Sequence, residues 1–336
     1  MTPRLHEAFA VQAESCRSLG SPFMQHLMGI LPDLLLGTAI GARMDAWEGE
    51  LGPSGASLPL RLAGGLHALV LSGDPLAEAY PPGGTASLGP AVADALIRRE
   101  AELMQALDSA PQTNEIRRSA ALLPGAALLA DRHGLPFDLI EVGASAGLNT
   151  VFDRYAVEAG GVTVGAADPL VTLRPDWRGP APPTASIEAA SHAGCDLAPI
   201  DVSDPAQRLR LLSYLWPDQP ERRALTEAAI AGGPPLPQRS DAVAFLKLRL
   251  APRRGRMTLL FHTVAWQYLS EVARAEGDMV IAAAGARARD DAPLARLSME
   301  SDGGRGAALT LTTWPGGGTE SLGRADFHGR WVEWTG

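Results

Sequence analysis

Residues 133–155 read as helix end, buried strand, glycine turn and second helix, and that order commits the chain to an α/β architecture. Residues 136–142 (PFDLIEV) form a short apolar run of the kind found in strands covered on both faces. The run stops at Gly143-Ala144-Ser145-Ala146-Gly147, and residues 148–155 resume a helical pattern. A strand that turns through glycines into a helix delivers main-chain amides to the carboxyl edge of a sheet, where α/β proteins place their ligands. Glu141 adds a carboxylate to that edge.

Upstream, nothing alternates with period two. Residues 5–19, 59–71 and 90–107 have helical spacing, with turns at Gly20-Ser21-Pro22, Gly73-Asp74-Pro75 and Tyr80–Gly84. Residues 1–110 are therefore expected to form an all-helical domain. From about residue 111 the pattern changes. Residues 116–133 read as a helix, 162–164, 170–173 and 186–190 as strands, 206–215 and 241–250 as helices, and 257–261 as a second buried strand. Three further strands, at 294–300, 308–314 and 324–334, finish the chain, with Gly316-Gly317-Gly318 turning between the last two. Alternating strands and helices closed by a hairpin predict an α/β domain over residues 111–336, with a mostly parallel sheet and an antiparallel C-terminal edge.

Two chemistries compete for the glycine turn. Glu141 followed by Gly143 and Gly147 resembles the first motif of S-adenosylmethionine-dependent methyltransferases, with Ser145 in place of the middle glycine. That resemblance implies a Rossmann-like sheet and a nucleotide laid against Gly143, Ser145, Gly147 and Asn149. The same residues also spell Gly-x-Ser-x-Gly, the nucleophile elbow of α/β-hydrolases, with Ser145 as nucleophile, Gly64-Gly65 as an oxyanion loop and His328 late enough in the chain for a triad. An elbow serine follows several strands of its sheet, whereas here the first strand carries it, and only the nucleotide pattern needs an acid at Glu141. The nucleotide reading is preferred; a purely structural turn is the third possibility.

The carboxyl-end rule nominates further positions. Asp176 is expected to hold ribose hydroxyls and Asp196 the adenine amino group. His262 and Thr263, closing the second buried strand, are the candidates for catalysis, His262 as a general base. Trp266 and Tyr268 would wall an acceptor pocket, with Asn114 and Arg118 reaching it from the preceding segment. Each has a plainer alternative: a cap for Asn114, a turn for Asp196, a structural hydrogen bond for His262. Asp326, His328 and Arg330 alternate and are expected on one face of a strand. No ligand spacing suggests a metal.

Composition limits the partners. The net charge of −9 argues against neutralising nucleic-acid phosphates. The most apolar stretch, residues 28–42, is broken by Pro32 and Asp33, which argues against a membrane span. Two cysteines, Cys16 and Cys195, and no apolar leader suggest a cytoplasmic protein. Across the whole chain, Gln112–Glu115, Gly143–Asn149, Gly194-Cys195-Asp196, Trp216–Gln219, Phe261-His262-Thr263 with Trp266-Gln267-Tyr268, and Ala325–Trp331 resemble an uncharacterised bacterial family, DUF2332. That resemblance implies a shared fold and no activity. The functional expectation is an S-adenosylmethionine-binding methyltransferase with a small-molecule acceptor, against a serine hydrolase or a non-catalytic nucleotide-binding scaffold.

Overall fold

The computed structural model describes every residue except Ser54 and Thr85. In chain order it begins with helices α1 (Pro3–Ser18), α2 (Pro22–Leu34), α3 (Ala39–Asp45), α4 (Leu58–Leu71), α5 (Leu88–Arg98) and α6 (Glu100–Ala106). There follow α7 (Ser119–His133), β1 (Phe137–Val142), β2 (Tyr155–Ala159), β3 (Val162–Gly165), β4 (Val171–Leu173), β5 (Asp176–Arg178) and β6 (Ala189–Asp196). Then come α8 (Pro205–Ser213), α9 (Pro220–Ala231), β7 (Gln238–Arg239), α10 (Ala242–Arg249), β8 (Met257–Thr263) and α11 (Glu271–Gly285). Strands β9 (Leu294–Ser301), β10 (Ala307–Trp314), β11 (Gly318–Ala325) and β12 (Trp331–Trp334) close the chain.

Two compact units result: Met1–Thr113 with Ser203–Ala224, and Asn114–Val202 with Leu225–Gly336. The sequence expectation placed a single break near residue 110 and missed the return of residues 203–224 to the helical unit. That return has a physical basis. Ser21 caps α2 by accepting from Met24 N, and its own hydroxyl donates to Asp218 Oδ1 at 2.6 Å, while Phe23 N donates to Asp218 Oδ2 at 3.0 Å. His67 of α4 sits 3.0 Å from the Ser213 carbonyl. A Cβ on Gly64 would lie 2.5 Å from the Tyr214 ring, so Gly64-Gly65 is the flat face of a buried helix and not an oxyanion loop. The core of the unit is built from Leu5, Phe9, Met28, Leu31, Leu62 and Leu66. Among the described residues no single helix is long and apolar enough to cross a membrane.

The second unit is an α/β layer structure around a nine-stranded, mostly parallel sheet of order β5-β12-β11-β10-β9-β8-β1-β6-β7. From β1 the chain steps outward to β6 and β7, then crosses back to β8 and β9, and all five of these strands are parallel. Strands β10 and β11 add antiparallel steps, and β12 pairs parallel with β5. Every residue of β1 and β8 is buried, as expected for strands covered on both faces. Strands β3-β2-β4 form a separate small sheet inserted between β1 and β6.

Three local readings are corrected. The segment after the glycine turn is a kinked 3-10 turn, Asn149–Arg154, and not an α-helix. Of the strand expected at 186–190 only Ala189 and Ala190 are strand, and they open the longer β6. Residues 324–334 are two strands, β11 and β12, joined by a turn, so Asp326, His328 and Arg330 do not share a strand face.

Candidate functional site

Strand register brings several chain ends to one edge of the sheet. Val142 of β1 lies beside Cys195 of β6, and Glu141 beside Phe261 of β8. Two successive antiparallel steps restore direction, so β11 also ends at this edge, and the 326–330 turn closes there. The glycine turn, Asp196, the end of β8 and the 326–330 turn are therefore one neighbourhood.

Within the glycine turn the amides are already used. Gly143 N and Ala144 N each donate to the Cys195 carbonyl at 2.9 Å, and Gly147 N donates to the Ala144 carbonyl at 2.7 Å. Ser145 N donates to Asp196 Oδ2 at 2.9 Å. Asn114 Oδ1 accepts from Ala146 N at 3.2 Å and Leu148 N at 2.9 Å. Asn114 thus does for this turn what a helix cap does. Asn149, expected at the cofactor, accepts from the Ser119 hydroxyl and donates to the Glu115 carbonyl, tying the turn to the segment before α7.

The two glycines are required by protein neighbours. Gly143 (φ +74°) would place a Cβ 2.4 Å from Ala265 Cβ, and Gly147 (φ +75°) would place one 2.5 Å from the Pro235 carbonyl oxygen. Their open faces are filled by neighbouring loops, where the sequence reading placed a ligand. Gly143→Ala should therefore cost about 2–4 kcal/mol, part overpacking and part left-handed strain. Adding Ala265→Gly should recover the overpacking part and leave about 1 kcal/mol of strain. Urea denaturation of both single variants and the double decides this: strictly additive effects would mean the contact is not what holds position 143 to glycine.

Ser145 is the exception in the turn. It sits at φ +52°, rare for a residue other than glycine or asparagine, and its buried Oγ has no hydrogen-bond partner among the described residues. Among the described residues no histidine is bonded to it, so the base that an elbow nucleophile needs is not in place. Glu141 is fully buried and accepts from the Thr150 hydroxyl. Burial pushes its carboxyl up to about 8, so it is a neutral acid at pH 7. Cys195 is likewise buried, and burial pushes its thiol up to about 12, which makes it unreactive.

The two expected nucleotide acids separate. Asp196 ends the strand beside β1 and holds Ser145 N and Ala198 N, with Leu197 next to it 72% exposed. Asp176 is on β5 at the far edge of the sheet, paired with Arg178 at 2.8 Å. Six strand steps of about 4.8 Å separate β5 from β1, so Asp176 is far from the glycine turn, and its amide instead donates to the Arg330 carbonyl at 2.8 Å, at the end of the 326–330 turn. The inserted small sheet displaced the sequence count: the acid that follows the second core strand is Asp196.

His262 is corrected too. Its Nδ1 is 2.7 Å from Glu300 Oε1, and Arg296 Nε donates to its Nε2 at 3.0 Å. An acceptor at Nε2 requires the proton on Nδ1, so the ring is neutral with both nitrogens engaged, and burial lowers its pKa further. It stacks on Trp266 with centroids 5.0 Å apart, and Arg296 covers the other part of that indole at 4.5 Å. Trp266 is therefore packing within the core, not a pocket wall, while Tyr268 stands 76% exposed. Thr263 contributes its carbonyl, which accepts from Arg118 Nη1 at 3.0 Å; Arg118 Nε donates to the Phe327 carbonyl at 2.9 Å. Arg118 is the clamp between the end of β8 and the 326–330 turn.

Sequence reading missed Glu300 and Glu115. Glu300 Oε1 accepts from Ala265 N and Trp266 N at 3.0 Å each, and Oε2 from Gln267 N at 3.3 Å. It lies 38 residues beyond His262, and only the pairing of β8 with β9 could have revealed the partnership. Glu115 is gripped by Arg117 through Nε at 2.9 Å and Nη2 at 3.1 Å, and its Oε2 lies 3.6 Å from His328 Nδ1. Asp326 organises its own turn, accepting from His328 N and from Arg330 main chain and guanidinium. An open groove lies elsewhere, at the β2–β3 hairpin beside Gly160, Gly161 and Trp177.

No curated protein and no solved structure matches the chain. A family model described as "Uncharacterized protein conserved in bacteria (DUF2332)" matches residues 6–334. Nearly the whole length is covered, helical unit and sheet unit alike, and the chain belongs to that bacterial family.

Proposed function

We propose that the sheet unit is a Rossmann-like nucleotide-binding domain that takes S-adenosylmethionine and passes its methyl group to a small-molecule acceptor. The observation that carries this reading is the parallel order β7-β6-β1-β8-β9, in which the chain leaves β1 on one side and returns on the other. Sheets wound this way bind nucleotides at the carboxyl ends, where the direction reverses, with an acid after the second strand on the ribose.

The side chains at that edge fit such a ligand in one respect that the sequence did not foresee. With the glycine faces filled, recognition falls to Ser145, Asp196 and Leu197. Asp196 would accept ribose hydroxyls beside the amides it already holds, Leu197 would lie against the adenine, and the unpartnered Ser145 hydroxyl would gain its missing hydrogen bond. When bound, the sulfonium supplies an electrophilic methyl group. The protein's contribution is to bring the acceptor in line with it and to exclude water.

S-adenosylhomocysteine at about a hundred times its dissociation constant should stabilise the protein by roughly 2.7 kcal/mol, which for a unit of this size is a melting shift of roughly 5–10 °C. Asp196→Asn should remove most of that shift. Scanning calorimetry with S-adenosylmethionine and S-adenosylhomocysteine measures both effects, and no shift with either ligand sinks the proposal. The strained, unpartnered Ser145 keeps the hydrolase reading as the second outcome, and labelling of Ser145 by a fluorophosphonate would put it first.

A further inference from the structure

The end of β11 carries a group that the proposed chemistry has not used. His328 Nδ1 is buried, has no hydrogen-bond partner among the described residues, and faces Glu115 Oε2 at 3.6 Å. The His328 side chain is 27% exposed, and the buried Nδ1 has no share in that exposure. The carboxylate it faces is 1% exposed and fixed by Arg117, while Asp326 fixes the His328 main chain from the other side. The pair also stands at the right place. Asn114 bonds the glycine turn, and the next residue is Glu115; Arg118 then ties the carbonyl of Phe327, beside His328, to the end of β8.

A buried carboxylate behind one imidazole nitrogen, with the other nitrogen turned outward, is the arrangement of an oriented general base. We infer that Glu115 and His328 form a proton-transfer dyad serving an acceptor whose nucleophile is an N–H or O–H group; this rests on the methyl-transfer reading. Glu115 holds the proton on Nδ1, closing the 3.6 Å gap to a hydrogen bond, and so presents the Nε2 lone pair. As the acceptor's lone pair forms its bond to the methyl carbon, the carbon–sulfur bond pair goes to sulfur, leaving a thioether. The acceptor's proton passes to Nε2, and the resulting imidazolium is stabilised by Glu115. His328 thereby takes the role that the sequence pattern gave to His262, whose two nitrogens are occupied.

The test reads the imidazole itself and needs no cofactor. The full chain is treated with diethyl pyrocarbonate at pH 8, where ordinary histidines are unprotonated, and each histidine's rate is followed by mass spectrometry. His328 should react at least as fast as the exposed His6 and His26 despite its lower exposure. Glu115→Gln should slow His328 by about fivefold or more, and leave His6 unchanged. A wild-type His328 slower than both exposed histidines overturns the dyad even if the variant fails to fold, as does a folded Glu115→Gln protein with an unchanged His328 rate. Because these rates involve no nucleotide, failure of the dyad is distinguishable from an absent S-adenosylhomocysteine shift, which would count against the methyltransferase reading alone.

Discussion

Glu141→Gln should be more stable than the wild type at pH 9 by on the order of 4 kcal/mol, and differ little from it at pH 5. The carboxyl of Glu141 is pushed up to about 8 by burial, against its ordinary value of 4.5. Between those two values the unfolded chain has released this proton while the folded protein keeps it. The unfolded state then binds fewer protons, so this group makes stability fall as pH rises, and the loss levels off above about pH 8. Glutamine fills the same volume, leaves the Thr150 hydroxyl an acceptor, and never ionises. Urea midpoints for the two proteins at pH 5, 7 and 9 would show the wild type dropping away from the variant. Parallel profiles would mean that Glu141 ionises freely inside the fold.

A loss of comparable size is expected at the end of β8. Glu300→Ala removes the acceptor for His262 Nδ1–H at 2.7 Å and for the amides of Ala265, Trp266 and Gln267 at 3.0, 3.0 and 3.3 Å. At about 1–3 kcal/mol for each buried donor left unpaired, with some relaxation, the cost is about 4 kcal/mol. Val264, between His262 and those amides, is held at φ +53°, a conformation that a β-branched residue adopts only when its surroundings force it. Glu300→Gln keeps one acceptor oxygen and should cost about 1–2 kcal/mol. Calorimetry ranks the three proteins. An alanine variant within 1 kcal/mol of wild type would show that the loop stands without Glu300.

The parts of the fold that depend on local pattern were legible in the sequence. The buried run of β1, the glycine turn behind it, the second buried strand and the C-terminal antiparallel strands can be read because periodicity and turn chemistry are local. What failed was set by distant partners. Asp176 looked like the acid of the second core strand because the inserted sheet is invisible to a residue count. His262 looked free because Arg296 and Glu300 meet it only through strand pairing. The glycines looked open to a ligand because nothing local announces that Ala265 and Pro235 fill their faces. Asn114 was read as a pocket residue or as a cap for the helix just after it, because the amides it accepts from lie 32 and 34 residues onward.

The clamp made by Arg118 has a consequence for when this edge comes into being. Its two bonds span 145 and 209 residues, so they close long loops, and their entropy is recovered only after both distant segments exist. On a ribosome, which delivers the amino-terminal part first, β1 and its turn emerge well before Phe327 is made. The neighbourhood at the carboxyl edge is thus completed only once residues 326–330 have been made. A chain cut before residue 326 would keep β1 to β11 yet lack the turn that Arg118 fastens to β8, so local strand pairing and the finished edge would come apart as separate events.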